Sequence, residues 1–222
     1  MWKLLEYAFL GWLVTTIMLG FGSVTVWGEG EASLYIEPSS FVGTAYEPGT
    51  DITFYVKVAN ITGLKSLTFN ISYLFEVLGF VEFKIELWEN LVSPIMQQGP
   101  GYVWFNLSYR TPITTNEPLT LVNVTLLIRD RGETIIDLHD TMLLDIGGAF
   151  IPHIAVDGYF NNFNPYDLNR DGSVDVLDVA IVGAAFGSYP GHPRWNPVAD
   201  VDGDGQVTII DMALVAEHFG EY

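Results

Sequence analysis

Two stretches of the chain place oxygen-bearing side chains at a spacing that suits a metal ion. The first, DLNRDGSVDVLD, runs from Asp167 to Asp178, and the second, DVDGDGQVTIID, from Asp200 to Asp211. Each packs four aspartates into twelve residues of a chain whose formal net charge is already -18. Carboxylates crowded together resist joint ionisation unless a cation sits among them. Calcium takes roughly six to eight oxygens in a flexible shell, and a twelve-residue loop supplies them from positions 1, 3, 5, 7, 9 and 12, with glycine at 6 for the sharp turn. In the first stretch those positions are Asp167, Asn169, Asp171, the Ser173 carbonyl, Asp175 and Asp178, around Gly172. In the second they are Asp200, Asp202, Asp204, the Gln206 carbonyl, Thr208 and Asp211, around Gly205. Position 9 often reaches the ion through water, which makes Asp175 and Thr208 the weaker members of each set. Many carboxylates plus a carbonyl favour the large, irregular shell of calcium over the mostly hydrated octahedron of magnesium. Ordinary turn and capping chemistry also uses Asp-Gly turns and an aspartate near a helix start. It explains one such stretch more easily than two in register.

The elements that must hold these loops read as a repeat. An offset of 33 residues aligns Asp167 with Asp200, Asp171 with Asp204, Gly172 with Gly205, Asp178 with Asp211 and Phe186-Gly187 with Phe219-Gly220. This is a tandem duplication. After each loop, apolar residues recur at helical spacing: Val179, Ile181, Val182 and Phe186, then Met212, Leu214, Val215 and Phe219. That predicts one helix per loop. Position 8 is Val174 or Val207, apolar, and is expected to pair the two loops or to seal a core. Between the copies, SYPGHPRWNP reads as an ordered connector because of its prolines and glycine.

From about Ser33 to Gly158 the pattern is strand after strand. In DITFYVKVAN, Ile52, Phe54, Val56 and Val58 alternate with Thr53, Tyr55 and Lys57. SLTFNISY sets Leu67, Phe69, Ile71 and Tyr73 against Thr68, Asn70 and Ser72. This period of two is that of half-buried strands. Further strands are predicted at YVWFNLSY, LTLVNVTLLIR and ETIIDL, with turns in EPGT, QQGPG and TTNEP. Many short strands with no helix-period run between them indicate a β-sandwich or jelly roll. Four Asn-x-Ser/Thr glycosylation acceptors, Asn60, Asn70, Asn106 and Asn123, fall in this region. The last three lie on strands, and their faces are expected to meet solvent.

Composition narrows the function. With 27 acidic against 9 basic residues, the chain lacks the clustered Lys and Arg that phosphate backbones require, so no nucleic-acid partner is expected. There is no cysteine, which excludes disulfides, thiol catalysis and Cys-ligated zinc. His139, His153, His192 and His218 are scattered without metal-ligand spacing, and Glu86 and Glu89 lie in a segment without pocket signals. With no GxSxG, HExxH or P-loop pattern, an enzyme is not the reading. A rival function, polysaccharide binding by the sandwich, rests on Tyr102 and Trp104 on one strand face and Trp88 nearby. Large aromatics in a sandwich are more often core. At the start of the chain, Lys3 precedes a largely apolar run from Leu4 to Trp27, followed by the small residues Gly28, Gly30 and Ala32. Two readings follow: a cleaved export signal, or a retained membrane anchor through residues 4–27. Both place the body outside the cytoplasm, extracellular or at the cell surface.

Paired loops with Asp at position 12, a single helix after each and a Phe-Gly ending resemble a type I-like dockerin, the duplicated calcium-binding module of cellulosome-type assemblies, over about Asn161 to Tyr222. The preceding region is similar to a cohesin, the jelly roll that receives a dockerin, notably in FYVKVANITGLKSLTFNISY and the terminal IAVDGYF. The resemblance implies two Ca2+ and a docking face near positions 10 and 11, here Val176-Leu177 and Ile209-Ile210. An apolar pair at a helix start also reads as local core. Near symmetry implies that either helix can dock, and Gly183-Ala184 against Ala216-Glu217 marks where the copies depart. The implied partner is a cohesin-type domain of another copy or of a separate scaffold. The expected architecture is a mainly β jelly-roll sandwich followed by a small all-α module with two EF-hand-like calcium loops. Residues 1–32 form the signal or anchor, 33–158 the sandwich and 159–222 the docking module.

Overall fold

The alternation of apolar and polar residues becomes two facing sheets in the computed structural model, which describes residues 30–221. The apolar run expected to be a signal or anchor, residues 4–27, lies outside the described residues. Among the described residues no helix is long and apolar enough to cross a membrane. Among the described residues eleven strands follow one another: β1 (Ser33–Glu37), β2 (Ser40–Val42), β3 (Asp51–Ala59), β4 (Ile61–Ser72), β5 (Leu78–Ile85), β6 (Ile95–Gly99), β7 (Tyr102–Thr115), β8 (Leu119–Ile128), β9 (Glu133–Asp145), β10 (Ile154–Val156) and β11 (Gly158–Asn161). A five-stranded sheet has the order β10-β1-β3-β8-β5, and a six-stranded sheet the order β2-β11-β9-β4-β7-β6. Neighbours are antiparallel except β1 with β10 and β2 with β11, which run parallel.

The predicted inward residues are inward. Ile52, Phe54, Val56 and Val58 on β3 meet Leu67, Phe69 and Ile71 on β4 and Val103, Phe105 and Leu107 on β7 in one core. Phe69 sits directly across from Phe105 in the ladder, their rings stacked at 5.0 Å, and Phe83 meets Phe105 edge-on at 5.5 Å. The fully buried rings of Phe69 and Phe105 each contribute on the order of 1.5–3 kcal/mol from burial alone. The segment ETIIDL proves to be only the start of β9, a thirteen-residue strand. Its polar stretch around His139 and Asp140 hides that length, and a register irregularity there opposite β4 breaks the alternation.

The sandwich runs to Asn161, the end of β11, slightly past the boundary read at 158. The next residue joins it to the C-terminal module. Asn162 is fully buried: its Oδ1 accepts from Gly132 N at 2.7 Å, its Nδ2 donates to the Tyr46 carbonyl at 2.8 Å, and its carbonyl accepts from the Arg131 guanidinium at 3.2 Å. A buried amide with its donors and acceptors matched fixes the chain at this point. Beyond it come α1 (Val176–Ala185) and α2 (Ile209–Glu217), which pack on each other over Val174, Val182, Ala185, Ala199, Val207 and Val215. The predicted helical residues Phe186 and Phe219 lie just beyond the helix ends and are exposed.

Candidate metal centre and docking surface

Each acidic stretch folds into a loop that closes on its own carboxylates. Asp178 and Asp211, at position 12, are completely buried. Asp178 Oδ1 accepts from Leu168 N at 2.7 Å and Asn169 N at 3.1 Å, and its Oδ2 accepts from Asp175 N at 2.8 Å. Asp211 repeats the pattern with Val201 N at 2.8 Å, Asp202 N at 3.3 Å and Thr208 N at 2.7 Å. Burial pushes the Asp211 carboxyl up, but the backbone donors outweigh it and hold the group below its usual range. The same carboxylates close capping boxes: Asp175 and Thr208, at position 9, accept from Leu177 N at 2.7 Å and Ile210 N at 3.1 Å as N-caps of α1 and α2. One aspartate per repeat therefore ties the loop entry to the helix start.

The remaining ligand positions converge on the loop interior. Asp200 Oδ2 accepts from Gly205 N at 3.0 Å, Asp202 Oδ1 from Asp204 N at 3.1 Å, and Asp204 Oδ1 from Gln206 N at 2.7 Å. One oxygen from each of Asp200, Asp202 and Asp204 lies within 4.8 Å of the others. Asp200 Oδ1 is buried without a hydrogen-bond partner. A buried carboxylate oxygen with no donor is costly, and a divalent cation satisfies it. These residues fit calcium. In the first loop Asp167 Oδ1 and Oδ2 accept from Asp171 N at 3.1 Å and Gly172 N at 2.8 Å, and Asp171 Oδ1 accepts from Ser173 N at 3.1 Å. Asn169 Nδ2 donates to Asp171 Oδ2 at 2.8 Å. Gly172 and Gly205 have φ of 93° and 85°, the left-handed turn for which position 6 is glycine.

Position 8 takes one of the two roles expected of it. Val174 and Val207 are fully buried, so they seal the core. They do not pair with one another. Gly220 N donates to the Val174 carbonyl and Val174 N to the Glu221 carbonyl, both at 2.8 Å, while Gly187 N donates to the Val207 carbonyl at 2.8 Å and Val207 N to the Ser188 carbonyl at 3.0 Å. Each loop thus grips the segment that follows the other repeat's helix. A clasp closes the module: Tyr166 stacks on His218 at 3.7 Å, and Glu221 accepts from Asn164 Nδ2 at 3.2 Å and lies 2.9 Å from His218 Nδ1. His218 and then Asn164 hold the Glu221 carboxyl below its ordinary value. The contacts of Tyr166 with His218 and of Asn164 with Glu221 join residues far apart in sequence and left no local signal.

Val176, Leu177, Ile209 and Ile210 are 65%, 54%, 64% and 54% exposed. They face solvent, not the core. The other histidines are each engaged locally: His139 with Asp140, His153 with Ile151 and Thr141, and His192 with Arg194. Asn70 and Asn106 lie half-buried on the outer face of the six-stranded sheet and Asn123 on that of the other, while Asn60 occupies the β3–β4 turn with φ 52°. Glu86 lines a shallow groove with Tyr55, Leu87 and Asn123, which the segment's sequence did not signal. Tyr102 and Trp104 share the outer face of β7, and Trp88 is exposed on a separate 3-10 turn; among the described residues no ring contact joins Trp88 to either.

Residues 165–220 match the family model for the dockerin type I domain. Among solved structures, the chain is similar to the non-cellulosomal cohesin from the hyperthermophilic archaeon Archaeoglobus fulgidus, with 18% identity and a TM-score of 0.50, over 59% of this chain and 89% of that one. It is also similar to a chain of the CaDoc0917–CaCohA2 complex, with 16% identity and a TM-score of 0.51, over 60% of this chain and 99% of that one; CaCohA2 comes from Clostridium acetobutylicum. No curated protein matches the chain. Fold and site together define a β-sandwich with a cohesin-like fold followed by a C-terminal module that matches the dockerin type I model. Dockerin domains are calcium-binding interaction modules, which agrees with the donor sets of the two loops.

Proposed function

We propose that the chain is an exported, non-catalytic assembly protein whose C-terminal module, loaded with two calcium ions, docks onto the cohesin-type sandwich of a second copy. The observation that carries this reading is the exposure of Val176-Leu177 and Ile209-Ile210. Four apolar side chains at equivalent helix starts, each more than half open to water, need a partner surface to cover them. Calcium neutralises the loop carboxylates when bound. The chain's own residues do the rest: Asp178 and Asp211 hold the helix starts, and the exchanged contacts of Val174 and Val207 hold the two repeats together. A second copy is the favoured partner because the chain carries a receptor-type fold of its own. Such contacts are heterologous and build rings where the rotation closes and open chains where it does not. Immobilised protein should capture soluble protein in calcium, release it on chelation, and lose capture when Leu177→Asp and Ile210→Asp are combined. Undiminished capture by that double variant would sink the docking assignment. Capture only by a separate cohesin-type domain would replace the second copy with a scaffold.

A further inference from the structure

The two loops follow one plan but differ at position 4. Both require a left-handed residue there, and Gly203 has φ 71° while Arg170 has φ 60°. Glycine adopts that conformation freely and arginine does not. What Arg170 supplies in return is reach. Its guanidinium lies 3.4 Å from Glu133 Oε1 on β9 and 4.6 Å from the centre of the Phe163 ring in the link between sandwich and module. The turn that aims it is closed by Asp167, which accepts from the N–H groups of Asp171 and Gly172. Arg170 also stands between two ligand positions, Asn169 and Asp171, so whatever fixes those residues fixes the arginine. Beside this contact runs an open cleft of about 440 Å³, with Asp130 and Arg131 on the sandwich side and Asp171 and Gly172 on the module side. Across that cleft the Arg170–Glu133 contact bridges the loop and the sandwich.

The donor sets are unequal too. Positions 1, 3 and 5 of the second loop are three carboxylates, with Asp200 Oδ1 already waiting without a donor. In the first loop position 3 is the neutral Asn169, bonded to Asp171, and both oxygens of Asp167 are engaged. Fewer charges and a bond to break weaken a site for a hard dication.

We propose that the second loop is the tighter calcium site and the first the weaker one, and that filling the first clamps the docking module onto the sandwich through Arg170 and Glu133. This rests on the calcium reading above. The Arg170–Glu133 pair is solvent-exposed, so the coupling is modest: with the ring contact included, about fivefold in first-site affinity. By reciprocity, the clamp raises calcium affinity as much as calcium tightens the clamp.

Calcium titration calorimetry on the whole chain tests this. Two binding events are expected; Asn169→Asp should tighten the weaker one, which assigns it to the first loop. Glu133→Gln, a change on the sandwich, should weaken that event about two- to fivefold and leave the tighter one unmoved. In an Arg170→Gln background the same substitution should change nothing further, which separates the contact from a diffuse loss of negative charge. Equal shifts of both events, no shift, or the same shift in both backgrounds would overturn the clamp while leaving the calcium reading intact. Absence of calcium binding would overturn both.

Discussion

Replacing Asp211 by alanine should unfold the C-terminal module while the sandwich stays folded. Its carboxylate accepts from the backbone N–H groups of Val201, Asp202 and Thr208 and sits completely buried. Truncation leaves three donors without acceptors, at about 1–3 kcal/mol each when buried. Val201 and Thr208 are half-buried and Asp202 is exposed, so water can reach the vacated donors in the variant and the low end applies, roughly 3–5 kcal/mol in total. Against this stands a core of only six buried residues, and single small cores of this kind rarely supply more than about 3–5 kcal/mol. The substitution therefore removes most of the module's margin, before any loss of a metal ligand is counted. Segment-resolved hydrogen exchange in excess calcium is the assay. Peptides spanning 165–221 should lose protection in Asp211→Ala, whereas peptides from β3, β4 and β7 keep theirs. Unchanged protection of α1 and α2 would refute the claim that this carboxylate ties loop to helix.

Other consequences follow from the same contacts. Phe105→Ala should cost about 3–5 kcal/mol and lower the melting temperature of the sandwich, because the ring packs between Phe69 and Phe83. Combining Leu177→Asp with Ile210→Asp should change module stability by less than about 0.5 kcal/mol in a chemical melt, since both side chains face water. Glu221 has a folded pKa below its ordinary 4.5, so its contribution is present above that value and is lost as pH falls through the lower folded value. The module's melting temperature should fall on acidification below about pH 4.5, and Glu221→Gln should flatten that slope.

How much of this was legible in sequence depends on the range of the interaction. The ligand positions repeat at a fixed offset, and Asp178 and Asp211 stand out because a buried carboxylate needs local backbone donors that only a short loop provides. The alternation through Ile52–Val58 and Leu67–Tyr73 reports burial on one face and needs no knowledge of the partner strand. Periodicity said less about the helices. Phe186 and Phe219 continue the apolar spacing yet fall beyond the helix ends, while Val176-Leu177 and Ile209-Ile210 look like core and face solvent. In helices this short, packing on the other repeat decides which apolar side chains are covered. The exchanged pairing of Val174 with Gly220, the bolt at Asn162 and the contact of Arg170 with Glu133 join residues distant in sequence. Polar residues in loops carry no periodic signal of such pairings.

Sedimentation velocity of the chain in calcium and in chelator tests the central claim most directly. The account predicts species larger than one chain in calcium, alone or with an added cohesin-type domain, that collapse to a single chain when the metal is removed. One species of monomer size in both buffers, with that domain present and unbound, would contradict it.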